Sequence, residues 1–205
     1  MKKRLTFNII VCAVIILTII IARIAIVPGG SNPEKVLMRF VKAATNGNMK
    51  SAFKDSVFMN ADRYFESKRK SMGYTEHRFN ELLQEEGYKD LNDALQSFDK
   101  DNKEWLREDY GADYKITVAV SDERILSYAE ARVYANEQRS QLYRRHRVVL
   151  VDFIDTDEIA ELREYSATVT IAGSAGQDSV SRLYYVARIG DRWFVLRNPL
   201  DLYWY

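Results

Sequence analysis

The stretch NPEKVLMRFVKAATNGNMKSAF, residues 32–53, shows how the folded part of this chain begins. Asn32 is suited to cap a helix, and Pro33 suits the first helical position, where no amide donor is needed. The turn Asn46-Gly47 is typical of a helix end, and a second short helix is predicted from Asn48. Apolar residues between these signals recur at helical spacing and predict one buried face: Val36, Leu37, Phe40, Val41 and Ala44.

Residues 60–107 predict further helices. Their apolar residues are sparse and their charged residues frequent, which is typical of two or three amphipathic helices packed on one side of a sheet. Thr75 and Asp90 are expected to begin helices, and Gly73 and Gly87 to end them.

The pattern changes at Asp113 to the alternation of strands with one buried face. Strands are predicted at residues 114–120, 165–171 and 180–189, and Gly190-Asp191 is expected to form a two-residue hairpin loop into residues 192–198. Such an order, helices first and strands after, predicts an α+β fold with its helices on one face of a curved antiparallel sheet.

A helix interrupts the predicted strands. Ser127 and Glu130 form a capping box, and a charged helix is expected to continue to about Arg145. Residues 148–154 are an apolar run that we interpret as a strand or a buried sheet edge. The folded domain therefore divides into a helical part, residues 33–107, and a mainly strand part, residues 113–198.

The N-terminal segment has a different composition. Residues 5–27, from Leu5 to Val27, are almost entirely apolar and long enough to span a bilayer as one helix. Arg23 lies close enough to the predicted outer end for its side chain to reach the interface. Lys2, Lys3 and Arg4 precede the span and are expected to stay in the cytoplasm.

This topology predicts a single-pass protein of the cell membrane. Residues 1–4 are the cytoplasmic tail, residues 28–32 a linker, and residues 33–205 an extracytoplasmic domain close to the membrane. Two alternatives are a signal peptide cleaved after Gly29 and a lipoprotein. Pro28 makes the cleavage site poor, and Cys12 lies in the middle of the apolar run after Val11, which is a poor context for lipidation.

Charge and cysteine content exclude several classes of function. Of 30 Lys and Arg residues, four lie in the first 27 positions, so the other 178 residues carry 26 basic against 29 acidic residues, a net charge of −3. A mildly acidic domain of this kind argues against nucleic acid as a partner. Cys12 is the only cysteine, so neither an intrachain disulfide nor a zinc site built on cysteine pairs is possible.

Two stretches resemble the nuclear-transport-factor-2-like superfamily. Residues 32–53 resemble its opening, a helix with an aromatic residue and an alanine, then a polar turn with Gly and a second short helix. Residues 184–196 are similar to its last hairpin, where a Gly turn precedes a strand that contains Trp. The helix after Ser127 looks like the variety found in membrane-anchored members from Gram-positive bacteria. The resemblance implies a cone-shaped α+β domain with a pocket at its mouth, and the superfamily contains enzymes as well as binding and assembly domains.

Few residues are candidates for chemistry. His77 and His146 are the only histidines, and both are expected on the surface rather than in catalysis. The acidic residues between Asp152 and Glu161 could ligate calcium, but they lack the central glycine and the distal glutamate of such loops. We therefore predict no catalytic, metal-binding or cofactor-binding residue, and no cofactor.

Two weaker candidates are contact surfaces. Four arginines could meet acidic headgroups or cell-wall phosphates: Arg139, Arg144, Arg145 and Arg147. The solvated end of a helix is the simpler interpretation. The aromatic C-terminus, with Trp204 and Tyr205, is expected to fold back onto the sheet or to contact a partner.

These observations favour a non-enzymatic binding or assembly domain at the bacterial cell envelope. Its expected partners are membrane lipid, through the N-terminal helix, and other envelope proteins or a second copy of the chain. One alternative is a subunit of a secretion or conjugation machine that resembles the inner-membrane cone-domain component of type IV systems. The other alternative is a small-ligand carrier, or an isomerase-like or dehydratase-like enzyme, that uses the cone pocket.

Overall fold

The computed structural model describes residues 29–202, which form helices followed by an antiparallel sheet. The helices are α1 (Pro33–Thr45), α2 (Met49–Asp55), α3 (Ala61–Ser71), α4 (Glu76–Glu85), α5 (Leu91–Tyr110) and α6 (Tyr128–His146). The strands are β1 (Lys115–Ile125), β2 (Ile159–Ala172), β3 (Gln177–Ile189) and β4 (Arg192–Val195). The predicted α+β class is confirmed.

Helices α1 and α2 form where residues 32–53 predict them. The Asn32 side chain accepts a hydrogen bond from the Lys35 amide at 2.9 Å, and Pro33 occupies the first turn. The apolar face of α1 is buried, since Val36, Leu37 and Phe40 have no exposed surface. This helix lies in the centre of the core and contacts the sheet.

Three more helices occupy the segment predicted as helical. Thr75 and Asp90 cap α4 and α5, as expected, by accepting hydrogen bonds from amides three residues further on. None of the residues in α4 is buried, so this helix belongs to the outside of the helical layer. Helix α5 is tied to the junction of α1 and α2, because Asn102 Nδ2 donates to the Thr45 carbonyl at 2.8 Å.

The sheet has the strand order β1-β2-β3-β4, with every neighbouring pair antiparallel. One face is buried, as the alternation predicts, and carries Ile116, Val118, Tyr165, Ala167, Val169, Ile171 and Tyr184. Gly190 has a φ of 59° and forms the predicted turn into β4. This turn returns Trp193 to pair with Arg188.

Helix α6 contradicts the prediction that all helices lie on one face of the sheet. The Tyr134 ring of α6 stacks on the Tyr185 ring at a centroid distance of 3.6 Å. Tyr185 and the core residue Tyr184 are adjacent in β3, so their side chains point to opposite faces. The excursion after β1 therefore covers part of the second face, which explains why Val186 and Ala187 are both fully buried.

The apolar run at residues 148–154 is not a strand. Arg147 ends α6 in the left-handed region with a φ of 56°, and a 3-10 turn follows at Leu150–Asp152. Val148 and Leu150 are fully buried, so the expected burial is present without the strand. A short apolar run can be buried in the core either as a strand or as a 3-10 turn, and its composition does not distinguish the two conformations.

Among the helices formed by residues 29–202, none is both long and apolar enough to cross a bilayer. The predicted span at residues 5–27 and its flanking residues Lys2, Lys3, Arg4 and Arg23 lie outside the described part of the chain.

Candidate functional site

The segment predicted as a linker is hydrogen-bonded on two sides. The Gly29 amide donates to the Lys54 carbonyl at the end of α2, at 3.0 Å. Gly30 and Trp193 exchange backbone hydrogen bonds of 3.2 and 2.8 Å, which pair Gly30 with the edge of β4 that faces away from β3. Residues 29 and 30 are thus an integral part of the domain edge.

Gly29 is required at this position for two physical reasons. Its φ is +73°, a conformation that residues with a Cβ adopt only with strain. A Cβ there would also lie 2.6 Å from the Trp193 carbonyl oxygen and 2.7 Å from the Phe194 ring. The close approach between the chain entry and β4 therefore depends on a residue without a side chain.

A cleft of about 670 Å³ opens beside this paired segment. Residues 29–31 form one wall, and the ends of α1 and α2 and the start of β4 form the others. Its charged side chains are Arg39, Lys42, Lys54, Asp55 and Arg192. We call this site the cationic cleft, because four cationic side chains share it with a single carboxylate.

Arg39 and Asp55 organise the cationic cleft. Asp55 is 6% exposed, and its two carboxylate oxygens accept from Arg39 Nε at 3.0 Å and Arg39 Nη2 at 2.7 Å. These hydrogen bonds raise the pKa of Arg39, so its guanidinium stays charged. The pairing leaves Nη1 outside the ion pair, and the Arg39 side chain remains 54% exposed.

The local charge of the cationic cleft is opposite to that of the domain. The side chains that line it sum to +3, whereas the chain from residue 28 onward carries −3. Low-dielectric walls around charges of one sign focus the potential and attract counter-ions. The cationic cleft is therefore suited to bind an anion.

The interior beneath the sheet is filled with aromatic side chains. Phe53, Phe58, Tyr64 and Phe153 have no more than 8% of their surface exposed, and their neighbouring ring centroids lie 4.9–6.4 Å apart. The Tyr64 hydroxyl accepts from Asn198 Nδ2 at 3.0 Å, so the polar end of this cluster is also satisfied. These rings fill this part of the core with side chains of the protein itself.

The two histidines differ in environment. The His77 side chain is 86% exposed and lies near Glu81 on the surface of α4, as predicted. His146 is half-buried, which contradicts the expectation of a surface residue, and its Nε2 lies 2.8 Å from Asp201 Oδ1. Asp201 belongs to the 3-10 turn Pro199–Leu202, which contacts α1 and α2.

The four candidate arginines, Arg139, Arg144, Arg145 and Arg147, are exposed along the second half of α6 and at its C-cap. Arg144 Nε donates to the Ser140 carbonyl, and the Arg147 guanidinium lies over the Tyr143 ring. None of the four lines the cationic cleft. Trp204 and Tyr205 lie outside the described residues.

The acidic run between Asp152 and Glu161 does not converge on one point. Asp152 accepts from the Ser67 hydroxyl at 2.5 Å, whereas Glu161 accepts from Arg163 at 2.6 Å. Within residues 29–202, no three histidine, cysteine or acidic side chains are grouped closely enough to hold a metal ion.

Sequence reasoning missed the cationic cleft and could have found only part of it. Arg39 and Lys42 are spaced by three residues in α1, which places them on one helix surface. Arg192 is about 150 residues further along the chain and reaches the site through the hairpin between β3 and β4. No local pattern connects it to α1.

Comparisons of the chain with protein families, curated proteins and solved structures found no match.

Proposed function

We propose that this chain is a single-pass membrane protein whose extracytoplasmic domain binds or assembles with other components of the bacterial envelope, without catalysing a reaction. Residues 5–27 supply the anchor, with Lys2, Lys3 and Arg4 in the cytoplasm. The partners of the domain would be envelope proteins or a second copy of the chain, besides the lipid around the anchor.

The observation that carries this proposal is that Gly29 is hydrogen-bonded to the end of α2 and Gly30 to β4. Val27 ends the apolar stretch, and Gly29 is already hydrogen-bonded to Lys54. Two residues reach at most ~7 Å when fully extended. A span that ends at Val27 would hold the cationic cleft directly against the membrane surface rather than on a long flexible stalk.

A cone-shaped domain of the nuclear-transport-factor-2-like kind belongs to the same proposal. Two features support this assignment of the domain. The chain begins with the helix pair α1 and α2, with α1 in the core, and it ends with a hairpin whose Gly turn precedes Trp193.

The filled interior supports a binding or assembly role over an enzyme or small-ligand carrier. Phe58 packs edge-on against both Tyr64 and Phe153, at centroid distances of 5.1 and 4.9 Å. Ligand sites of drug-like size are cavities of roughly 300–1,000 Å³ lined by apolar groups. At this position that space is occupied by side chains of the protein itself, and the cationic cleft, although about 670 Å³ in volume, is lined mainly by charged and polar residues.

Cysteine labelling in whole cells tests the topology. Cys12→Ser provides a background, and Lys89→Cys or Lys3→Cys then places one thiol in the domain or in the tail. A membrane-impermeant maleimide should label Lys89→Cys in intact cells, and Lys3→Cys only after the cells are permeabilised. Labelling in the reverse order would contradict the proposed orientation.

Purified full-length protein tests the absence of catalysis. Turnover of a small molecule that disappears in the His146→Ala variant, while the fold is retained, would show an enzyme and refute this part of the proposal.

A further inference from the structure

We propose that the cationic cleft binds the phosphate of an anionic lipid headgroup on the extracytoplasmic side of the cell membrane. This inference rests on the proposed anchor, because the anchor would bring headgroups to the cationic cleft. The shared chemistry is that of a phosphate anion, which a lipid or free phosphate in solution could supply.

The charge balance distinguishes the cationic cleft from the clusters around Arg78 and Arg124. Arg78 contacts Glu81 and Glu85, and Arg124 contacts Glu130 and Glu164. In these clusters the carboxylates outnumber the guanidinium. In the cationic cleft the order is reversed, because the cations Arg39 and Lys42 face one carboxylate, that of Asp55.

The donors of the cationic cleft suit a phosphate. The Nη1 group of Arg39 carries N–H donors that the Asp55 pair does not use. Lys42 lies one turn further along α1 with an exposed side chain, and the exposed Ser51 adds a hydroxyl from α2. Guanidinium, ammonium and hydroxyl donors that converge on a concave surface are the usual ligands of phosphate oxygens.

The position of the cationic cleft selects the lipid as the source. Ser31, Gly30 and Gly29 form its wall, and the predicted span ends two residues earlier. Headgroups are therefore within reach at high local concentration, whereas free phosphate would have to bind from dilute solution. The four arginines of α6 lack this placement and lie along an exposed helix surface.

Hydrogen exchange on the full-length chain in lipid nanodiscs tests the proposal. One set of nanodiscs contains phosphatidylcholine alone, and the other contains phosphatidylglycerol in addition. We expect phosphatidylglycerol to slow amide exchange at residues 29–31 and 51–54 about tenfold. This is the protection factor that results when the headgroup concentration is about ten times the Kd. The exposed helix α4 should exchange equally in both.

The matched variants are Lys42→Ala and Lys89→Ala. Both remove one positive charge, but Lys89 is exposed in the loop before α5 and does not line the cationic cleft. Removing one basic residue at an anionic surface weakens binding about fivefold. Because protection scales with the headgroup concentration divided by Kd, Lys42→Ala should reduce the protection from about tenfold to about threefold. Lys89→Ala should leave the protection unchanged.

Three results would overturn the inference. Equal exchange in the two lipid mixtures would show no preference for an anionic headgroup. Equal loss of protection in both variants would show unspecific attraction. Protection by inorganic phosphate in nanodiscs of phosphatidylcholine, without any effect of phosphatidylglycerol, would show that free phosphate is the ligand.

A separate measurement shows whether the chain spans the bilayer at all. An alkaline wash removes chains that do not span the bilayer. A chain lost in this wash refutes the proposed function and the inference together, whereas a retained chain without lipid-dependent protection refutes only the inference.

Discussion

Single residues decide how the chain enters the domain. Gly29 combines a positive φ with a Cβ position that the Trp193 carbonyl and the Phe194 ring already occupy. Gly73, at the end of α3, also has a positive φ, of 71°, but open space surrounds it. The two glycines therefore separate the cost of backbone strain from the cost of steric overlap.

We expect Gly29→Ala to destabilise the domain more than Gly73→Ala does. Strain alone costs about 1–2 kcal/mol in the left-handed region, and Gly29→Ala must in addition separate the chain from β4. Urea unfolding of both variants measures the difference, and faster exchange of the Gly30 and Trp193 amides should accompany Gly29→Ala. Equal stability of the two variants would show that the segment at residues 29–30 contributes little.

The Arg39–Asp55 pair is the second feature at this scale. Arg39→Ala leaves a carboxylate with 6% of its surface exposed and without its guanidinium. We expect a loss of about 1–2 kcal/mol, because Arg39 itself is half exposed and water screens part of the interaction. A double-mutant cycle with Asp55→Ala measures the coupling. If the two losses are simply additive, the pair does not stabilise the fold.

Among the elements, α6 depends most on its own end signals. It runs from Tyr128 to His146, yet only Ala135 and Leu142 are fully buried within it. Ser127 and Glu130 form a reciprocal capping box, in which the Ser127 amide donates to Glu130 Oε2 at 2.8 Å. Hydrogen bonds from Ser127, followed by one from Arg124, hold the pKa of Glu130 below its usual value.

We expect Ser127→Ala to destabilise α6 by about 1 kcal/mol, the usual cost of losing an N-cap. Hydrogen exchange should show faster opening of α6, and a urea titration gives the global change. Ser140→Ala, at an exposed position inside the same helix, is the control and should not destabilise α6, because Ala is the better helix former. A larger effect at Ser140 than at Ser127 would contradict the importance of the cap.

At the scale of the whole molecule, buried and half-buried tyrosines couple stability to alkaline pH. Burial is the largest cause that raises the pKa of Tyr110, Tyr165 and Tyr185 to about 12, and burial also raises the pKa of Tyr64 and Tyr134. Above pH about 10, the unfolded chain loses these protons while the folded chain keeps them. The free energy of unfolding must therefore fall as the pH rises from about 10 toward 12.

Urea unfolding at several pH values above about 9 measures this loss, with a slope of up to ~1.4 kcal/mol per pH unit for each tyrosine. Tyr134→Phe keeps the ring that stacks on Tyr185 and removes one titrating hydroxyl, so it should make the slope shallower. A slope for Tyr134→Phe equal to that of the unsubstituted protein would show that Tyr134 does not contribute.

The sequence by itself determined the local elements. Asn32, Thr75, Asp90 and Ser127 begin helices because a side-chain cap needs only an amide two or three residues away. The alternation in residues 114–120 predicts a strand for the same reason, since its period is set by neighbouring residues. These signals were enough to predict the α+β class and the excursion of α6.

Only the tertiary structure decided which surfaces meet. It placed α6 on the second face of the sheet, put a 3-10 turn at Leu150–Asp152 in place of a strand, and brought His146 to Asp201. It also assembled the cationic cleft from Arg39 and Arg192, which are far apart in the sequence. Such contacts depend on how preformed elements pack, and packing is set by the shape and burial of all their faces together rather than by any local pattern.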